Sequence, residues 1–293
     1  MEPTSLLSTI NVQQSTNLTL DAPFAGGEQG AYAISDERGA QYALKFTPGD
    51  DAFARFQAAR DITERLRTCG YPAPQYRYVG SVDGVAYSVQ EALLGRPMGR
   101  LDATHLPRLL ELNDLQAGAA SNPAEDWPAS IIESVAHGFE GYCVIDSLRT
   151  YSTETRALLE RLQLLVAASA ELTCPTDDIV HFDFNPANIL VADDTVSGVI
   201  DWDGAQAGER SFDLATLLFY AADQADVANA LWQAAVERSS AAAIRLYLAH
   251  LIVRQVDWSI RNHADDVAQY WLIHSLAVDD RYLSVTNQRS PLL

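Results

Sequence analysis

Basic residues are scarce: 20 Lys plus Arg stand against 39 Asp plus Glu, a formal net charge of −19, and Lys45 is the sole lysine of the 293 residues. Such a deficit excludes the basic face that nucleic-acid phosphates or an anionic membrane surface would require. Cysteine is almost absent. Cys69, Cys143 and Cys174 are odd in number, widely spaced and without a CxxC pair, which excludes a disulfide framework and a cysteine zinc site. No apolar run approaches the about 20 residues of a membrane-spanning helix. The N-terminus, Met1-Glu2-Pro3-Thr4, has no basic segment leading into an apolar one, so no secretory signal is expected and a cytoplasmic location is.

What is present is an ordinary globular composition, 48% apolar and 20% charged, long enough for one or two domains with a real core. The first ninety-odd residues read as strands around one helix. Strand-like segments at 18–23 and 30–35 flank a glycine-bearing loop, Gly26-Gly27-Glu28-Gln29-Gly30. Asp36-Glu37-Arg38-Gly39 reads as a hairpin turn. Residues 41–46 alternate, with Tyr42, Leu44 and Phe46 on one face and Ala43 and Lys45 on the other. A helix is predicted over 52–68, ended by Gly70-Tyr71-Pro72, and strands at 75–80 and 85–92 join through Asp83-Gly84.

After Leu94-Gly95-Arg96-Pro97 the pattern turns helical, with helices predicted over 104–120, 130–148, 154–172, 211–222, 226–238, 240–262 and 265–277. Two short apolar runs, 189–191 and 198–200, interrupt them as a hairpin. The predicted class is therefore α+β: a small antiparallel β-rich lobe with one main helix, residues 1–93, and a larger helical lobe, residues 94–293. The acidic excess is concentrated in the second, with 28 acids against 13 bases, where the first has 11 against 7.

The segment 180–203 carries the chemistry. Asp183 precedes Asn188 by five residues across a Pro-containing loop, and Asp201 closes the second strand of the hairpin, so that Asn188 and Asp201 meet at its open end. An amide oxygen and carboxylates are hard ligands that suit Mg²⁺, which keeps phosphate oxygens and water as its other ligands. Phosphoryl transfer calls for a base, two magnesium ligands, a cation on the phosphates and backbone amides over them. Asp183, Asn188 with Asp201, Lys45, and the loop containing Gly27 and Gly30 supply those parts. An arginine replaces a compact ammonium poorly in a tight site, a physical reason for one lysine to persist in an arginine-rich chain.

His181-Phe182-Asp183-Phe184-Asn185-Pro186-Ala187-Asn188-Ile189-Leu190 resembles the catalytic loop of the protein-kinase-like superfamily. Ile200-Asp201-Trp202-Asp203 followed by Gly208-Glu209-Arg210-Ser211-Phe212-Asp213-Leu214-Ala215 resembles the aminoglycoside phosphotransferase family rather than protein kinases, and no A-P-E element follows. The resemblance covers roughly residues 20–220. It implies a bilobal protein-kinase-like fold, ATP with Mg²⁺ as cofactors, Asp183 as base, Asn188 and Asp201 as metal ligands, Lys45 on the ATP phosphates, and Gln90, Glu91 and Leu93 in the adenine-binding hinge. It also implies that Asp213 braces the catalytic loop. The glycine loop departs from a full G-x-G-x-x-G, and the acid expected to pair with Lys45 is open between Asp61 and Glu64, with Gln57 as a replacement for the ion pair.

A cationic small-molecule acceptor, an aminoglycoside or basic peptide antibiotic, fits the acidic helical lobe, with Asp203, Asp257, Asp265 and Asp266 as its candidate contacts. The alternatives are a metabolic kinase of choline, homoserine, sugar or nucleoside type, and a kinase-like protein that binds nucleotide without catalysis. Neither nucleic acid nor membrane is an expected partner, and the chain is expected as a monomer or homodimer.

Overall fold

The computed structural model describes residues 2–23 and 31–284. Gly27 and Gly30 lie outside the described residues. The chain divides into two compact units. One comprises Met1–Gly99 with Pro186–Gln206, the other Arg100–Asn185 with Ala207–Leu293. The first unit thus runs six residues past the boundary expected at residue 93 and takes in the later hairpin.

The first unit is built on a five-stranded antiparallel sheet in the order β1-β2-β3-β5-β4, from β1 (Thr19–Pro23), β2 (Tyr32–Ser35), β3 (Gln41–Pro48), β4 (Tyr76–Val82) and β5 (Val85–Glu91). Strand alternation divides its side chains between two faces. Leu44, Tyr87 and Val89 pack with Ile34 against Leu6, Leu7 and Ile10 of a first helix, α1 (Pro3–Gln14). Ala86 lies on the opposite face, with Ala52 and Phe56 of α2 (Ala52–Thr68). Lys45 is out of phase with Leu44 and so belongs to the α2 face. Helix α1 is an element that the sequence pattern does not predict. Its stripe is only Leu6, Leu7 and Ile10, but each of these side chains stabilises by about 1.5–3 kcal/mol once covered.

A second sheet of the same unit runs β6-β8-β9, from β6 (Arg96–Pro97), β8 (Ile189–Ala192) and β9 (Thr195–Val199). Backbone bonds tie it to neighbouring segments: the Val199 amide donates to the Pro72 carbonyl at 2.9 Å, and the Met98 amide to the Ile189 carbonyl at 2.8 Å. Leu93 packs closely on Gly198, where a Cβ would sit 2.6 Å from Leu93 Cδ1 and displace that side chain.

The second unit is helical: α3 (Leu106–Leu115), α4 (Trp127–Ala136), α5 (Ile145–Tyr151), α6 (Thr153–Ala167), α7 (Ser211–Tyr220), α8 (Ala225–Arg238), α9 (Ala241–Asn262) and α10 (Asp265–Val278). A short ribbon pairs β7 (Asp178–Val180) with β10 (Gln206–Gly208). Helix α9 is the hub. It is capped by Ser240, whose hydroxyl accepts the Ala243 amide, and is buried on nearly every side from Ala243 to Val256. The pattern predicts a continuous helix over 130–148; the chain instead ends α4 at Ala136 and starts α5 at Ile145. Gly138 (φ +69) and Gly141 (φ +75) take left-handed turns between them. A Cβ on Gly138 would lie 2.2 Å from the Cys143 carbonyl oxygen. The bend brings Tyr142 to helix α9.

Candidate active site

In the first unit the chemistry gathers around Lys45. The fully buried Trp202 anchors the segment after β9: its indole nitrogen donates to the Val199 carbonyl at 2.8 Å, and its ring meets Tyr71 edge-on with centroids 5.3 Å apart. The flanking residues, Asp201 and Asp203, turn to Lys45. Its ammonium donates to Asp201 Oδ1 at 2.6 Å and to Asp203 Oδ2 at 2.8 Å. Asp201 holds a left-handed backbone, φ +68, uncommon for a residue with a side chain. Tyr76 adds a long hydroxyl contact to Asp203 Oδ1 at 3.5 Å. At the open end of the β8–β9 hairpin the Ile200 amide donates to the Asn188 carbonyl at 2.9 Å, which sets Asn188 beside the strand end that carries Asp201.

Two carboxylates and one ammonium leave this cluster formally at −1. Burial works against the Lys45 charge, but Asp203 and then Asp201 outweigh it, and the ammonium's pKa is raised. Burial raises the Asp203 pKa; Lys45 opposes this and Asp201 adds to it. The partners of Lys45 are therefore not the acids of helix α2. Asp61 pairs with Arg60 at 2.9 Å, and Glu64 is exposed. Asp203, expected to contact an acceptor, is directed to Lys45 instead.

Among the hinge residues, the Glu91 amide donates to the Gln75 carbonyl at 2.8 Å and the Ala92 amide to the Gln41 carbonyl at 3.2 Å. The Glu91 carboxylate accepts from Arg67 and from the Gln75 amide, both at 3.2 Å. Gln90 is buried and donates to Ser88 Oγ at 3.0 Å, while Leu93 rests on Gly198.

In the second unit the centre is Asp183, on the loop after β7. That loop is fastened from helix α7 by Asp213, which is fully buried. One of its oxygens accepts the His181 amide at 2.8 Å and Gln116 Nε2 at 2.7 Å; the other accepts the Phe182 amide at 3.1 Å. Burial raises the Asp213 pKa, and the hydrogen-bond donors that converge on it oppose the rise. Phe182 has φ +72, a conformation costly for a bulky side chain, and is kept there by a stack on Phe212 with centroids 5.0 Å apart at 6°. Arg254 of α9 donates to the Phe182 carbonyl at 2.7 Å and to Asp183 Oδ1 at 3.1 Å. The motifs of the sequence do not include Arg254. The one signal for it is an arginine between Val253 and Val256, in the apolar stretch of α9, where a cation needs a partner.

The other three acids expected at an acceptor site are disposed differently. Asp257 is 1% exposed and accepts from the Val144 amide at 3.0 Å, Ser147 Oγ at 2.8 Å, and Arg261 Nε and Nη2 at 2.7 and 2.8 Å. Its charge is matched inside the unit by Arg261. Asp265 accepts from the Tyr151 hydroxyl at 2.5 Å at the start of α10, and Asp266 is exposed beside it.

Among the described residues no helix is long and apolar enough to cross a membrane, and no group of three or more His, Cys, Asp or Glu could hold a metal ion. A metal here would take few protein ligands, drawn from an aspartate pair and an asparagine.

Residues 22–244 match the model of a family described as the phosphotransferase enzyme family. No curated protein sequence matches the chain. Solved structures of low sequence identity share its fold. A thermostable mutant of aminoglycoside phosphotransferase APH(4)-Ia, in ternary complex with ADP and hygromycin B, is 19% identical with a TM-score of 0.67, covering 94% of this chain and 97% of its own. Amicoumacin kinase hAmiN, in complex with AMP-PNP, Ca²⁺ and Ami, is 14% identical with a TM-score of 0.64, covering 96% and 94%. Macrolide 2′-phosphotransferase MphH from Brachybacterium faecium is 16% identical with a TM-score of 0.60, covering 92% and 97%. The α+β fold is thus protein-kinase-like, as the loop around Asp183 implied.

Proposed function

The chain belongs to the phosphotransferase enzyme family, and from that premise we propose that it is an ATP-dependent kinase that phosphorylates a hydroxyl of a small-molecule antibiotic. The observation that carries the reading is the Lys45–Asp201–Asp203 cluster, with Asn188 at the adjoining hairpin end.

That donor set fits magnesium. It is oxygen-only and net negative, and with few protein ligands it leaves room for phosphate oxygens and water. Asp201 and Asn188 would hold the ion, which when bound neutralises charge on the phosphates. Lys45 would move its ammonium from the carboxylates to the nucleotide phosphates, its raised pKa keeping it charged. The hinge of Gln90, Glu91 and Leu93 would receive adenine through backbone atoms that the sheet leaves to it, since the Glu91 and Ala92 amides are already engaged. Asp183 would accept the proton of the acceptor hydroxyl. Its carboxylate is held by Arg254 and its loop by Asp213, so little reorganisation is needed as the hydroxyl attacks.

For the acceptor, the acidic excess of residues 94–293 favours a cation, while Asp257 offers it nothing. A screen of ADP release over hygromycin B, a macrolide, neutral sugars and amino alcohols tests the reading, with mass spectrometry of each product. An added phosphoryl group on an antibiotic, lost in Asp183→Asn, is the expected result. Undiminished transfer by Asp183→Asn, or turnover of neutral metabolites far above every antibiotic, would overturn it.

A further inference from the structure

We infer that Arg254 is a positioning residue for the base: a fixed guanidinium on helix α9 that sets the direction of the Asp183 carboxylate. The inference rests on the reading of Asp183 as base.

Three observations converge. The two arms of the guanidinium hold consecutive residues, one by its backbone (Phe182 O, 2.7 Å) and one by its side chain (Asp183 Oδ1, 3.1 Å). Such a fork fixes the carboxylate relative to its own loop; a lysine ammonium, with no planar fork, would hold the two in a less defined geometry. The loop has a specific need for this, because Phe182 stands at φ +72 and its carbonyl is the group that Arg254 restrains. The guanidinium also lies 5.8 Å from the Phe182 ring centroid.

Arg254 is itself held. Its side chain is 15% exposed, on a helix buried along most of its length from Ala243 to Val256. One turn earlier, His250 hydrogen-bonds with Ser134 Oγ at 2.6 Å and Tyr142 Oη at 2.8 Å, which ties α9 to α4 and to the turn before α5. The titratable His250, Cys143 and Tyr142 around Arg254 are uncharged at neutral pH. Burial, with Arg254 itself, pushes His250 well below the usual imidazole range; burial pushes the Cys143 thiol up to about 12 and carries the Tyr142 phenol upward too. Burial opposes the Arg254 charge, but its surroundings, with the Asp183 carboxylate in contact, outweigh it and its pKa is raised. Asp183 is the carboxylate that its charge meets.

The test uses the full chain with Arg254→Gln, Arg254→Lys, Arg254→Ala and, in parallel, Asp183→Asn. ADP release is read with hygromycin B and with water alone as acceptor, and amide hydrogen exchange is read over residues 181–185. A displaced base lowers kcat by about 100-fold in Arg254→Gln and less in Arg254→Lys, with KM for ATP unchanged. Guanidinium ion restores Arg254→Ala saturably, and exchange over 181–185 quickens in Arg254→Gln while that of α8 does not. Wild-type kcat in Arg254→Gln beside an inactive Asp183→Asn overturns the inference and leaves the base assignment standing. An active Asp183→Asn overturns the base assignment itself. If the wild type turns over no acceptor, hydrogen exchange decides, and unchanged exchange in Arg254→Gln overturns the inference. Failure of even Arg254→Lys to fold would make Arg254 a structural residue and overturn it equally.

Discussion

Replacing Asp213 by asparagine is expected to loosen the loop that carries Asp183, at a cost the hydrogen bonds define. The carboxylate accepts three donors: the His181 and Phe182 amides and Gln116 Nε2. An asparagine has one acceptor oxygen in the same space. With that oxygen in place of Oδ2 it keeps two donors, but its NH₂ then faces the Phe182 amide, donor against donor. An unsatisfied buried amide costs about 1–3 kcal/mol. The two bonds that remain lose their charge assistance, which is worth roughly 1 kcal/mol more. The opposite amide orientation loses two donors and costs more still. Together these losses come to about 2–4 kcal/mol, an upper figure because the neutral asparagine escapes the burial penalty that raises the Asp213 pKa. At a helical unit of this size that is a fall in Tm of roughly 4–16 °C. Scanning calorimetry measures it, and ADP release measures its consequence: kcat falls while KM for ATP holds. An Asp213→Asn protein with wild-type Tm and kcat would refute the clamp.

Two further substitutions separate structural acids from functional ones. Glu209 is buried against the Tyr247 hydroxyl, and burial raises its pKa above the usual carboxylate range. A carboxyl with a raised folded pKa stabilises fully below its unfolded pKa, and that stability is lost as pH rises through the folded value. Glu209→Gln removes the titration, so its Tm minus that of wild type is expected to grow from pH 4.5 upward; parallel Tm curves would contradict this. Asp257→Asn is expected to lower Tm by weakening the Arg261, Ser147 and Val144 contacts, without changing KM for a cationic acceptor; a raised KM with unchanged Tm would restore Asp257 to the acceptor site.

Much of this is legible in the residues because it is local. Alternation places Lys45 opposite Leu44, and the short apolar runs 189–191 and 198–200 signal the hairpin that sets Asn188 beside the strand end at Asp201. What cannot be read is pairing at long range. The carboxylates beside Lys45 lie about 156 residues away in sequence, whereas a search along the following helix yields Asp61 and Glu64. Asp257 counts toward an acidic wall because a charge tally cannot show that Arg261, one turn later, consumes it. Arg254 is hidden for the converse reason: in the sequence it is one arginine among many, and its two partners come from a loop some 71 residues earlier. Helix α1 escapes the pattern because three apolar side chains make a weak stripe until a sheet covers them.

The central claim is that Asp201 and Lys45 hold a metal-bound nucleotide while Asp183 serves the transfer step. Equilibrium binding of AMP-PNP, with and without Mg²⁺, to the wild type, Asp201→Asn and Asp183→Asn tests it most directly. The account gives metal-dependent binding in the wild type and in Asp183→Asn, and loss of the metal dependence in Asp201→Asn. Metal-dependent binding of wild-type strength in Asp201→Asn would contradict it.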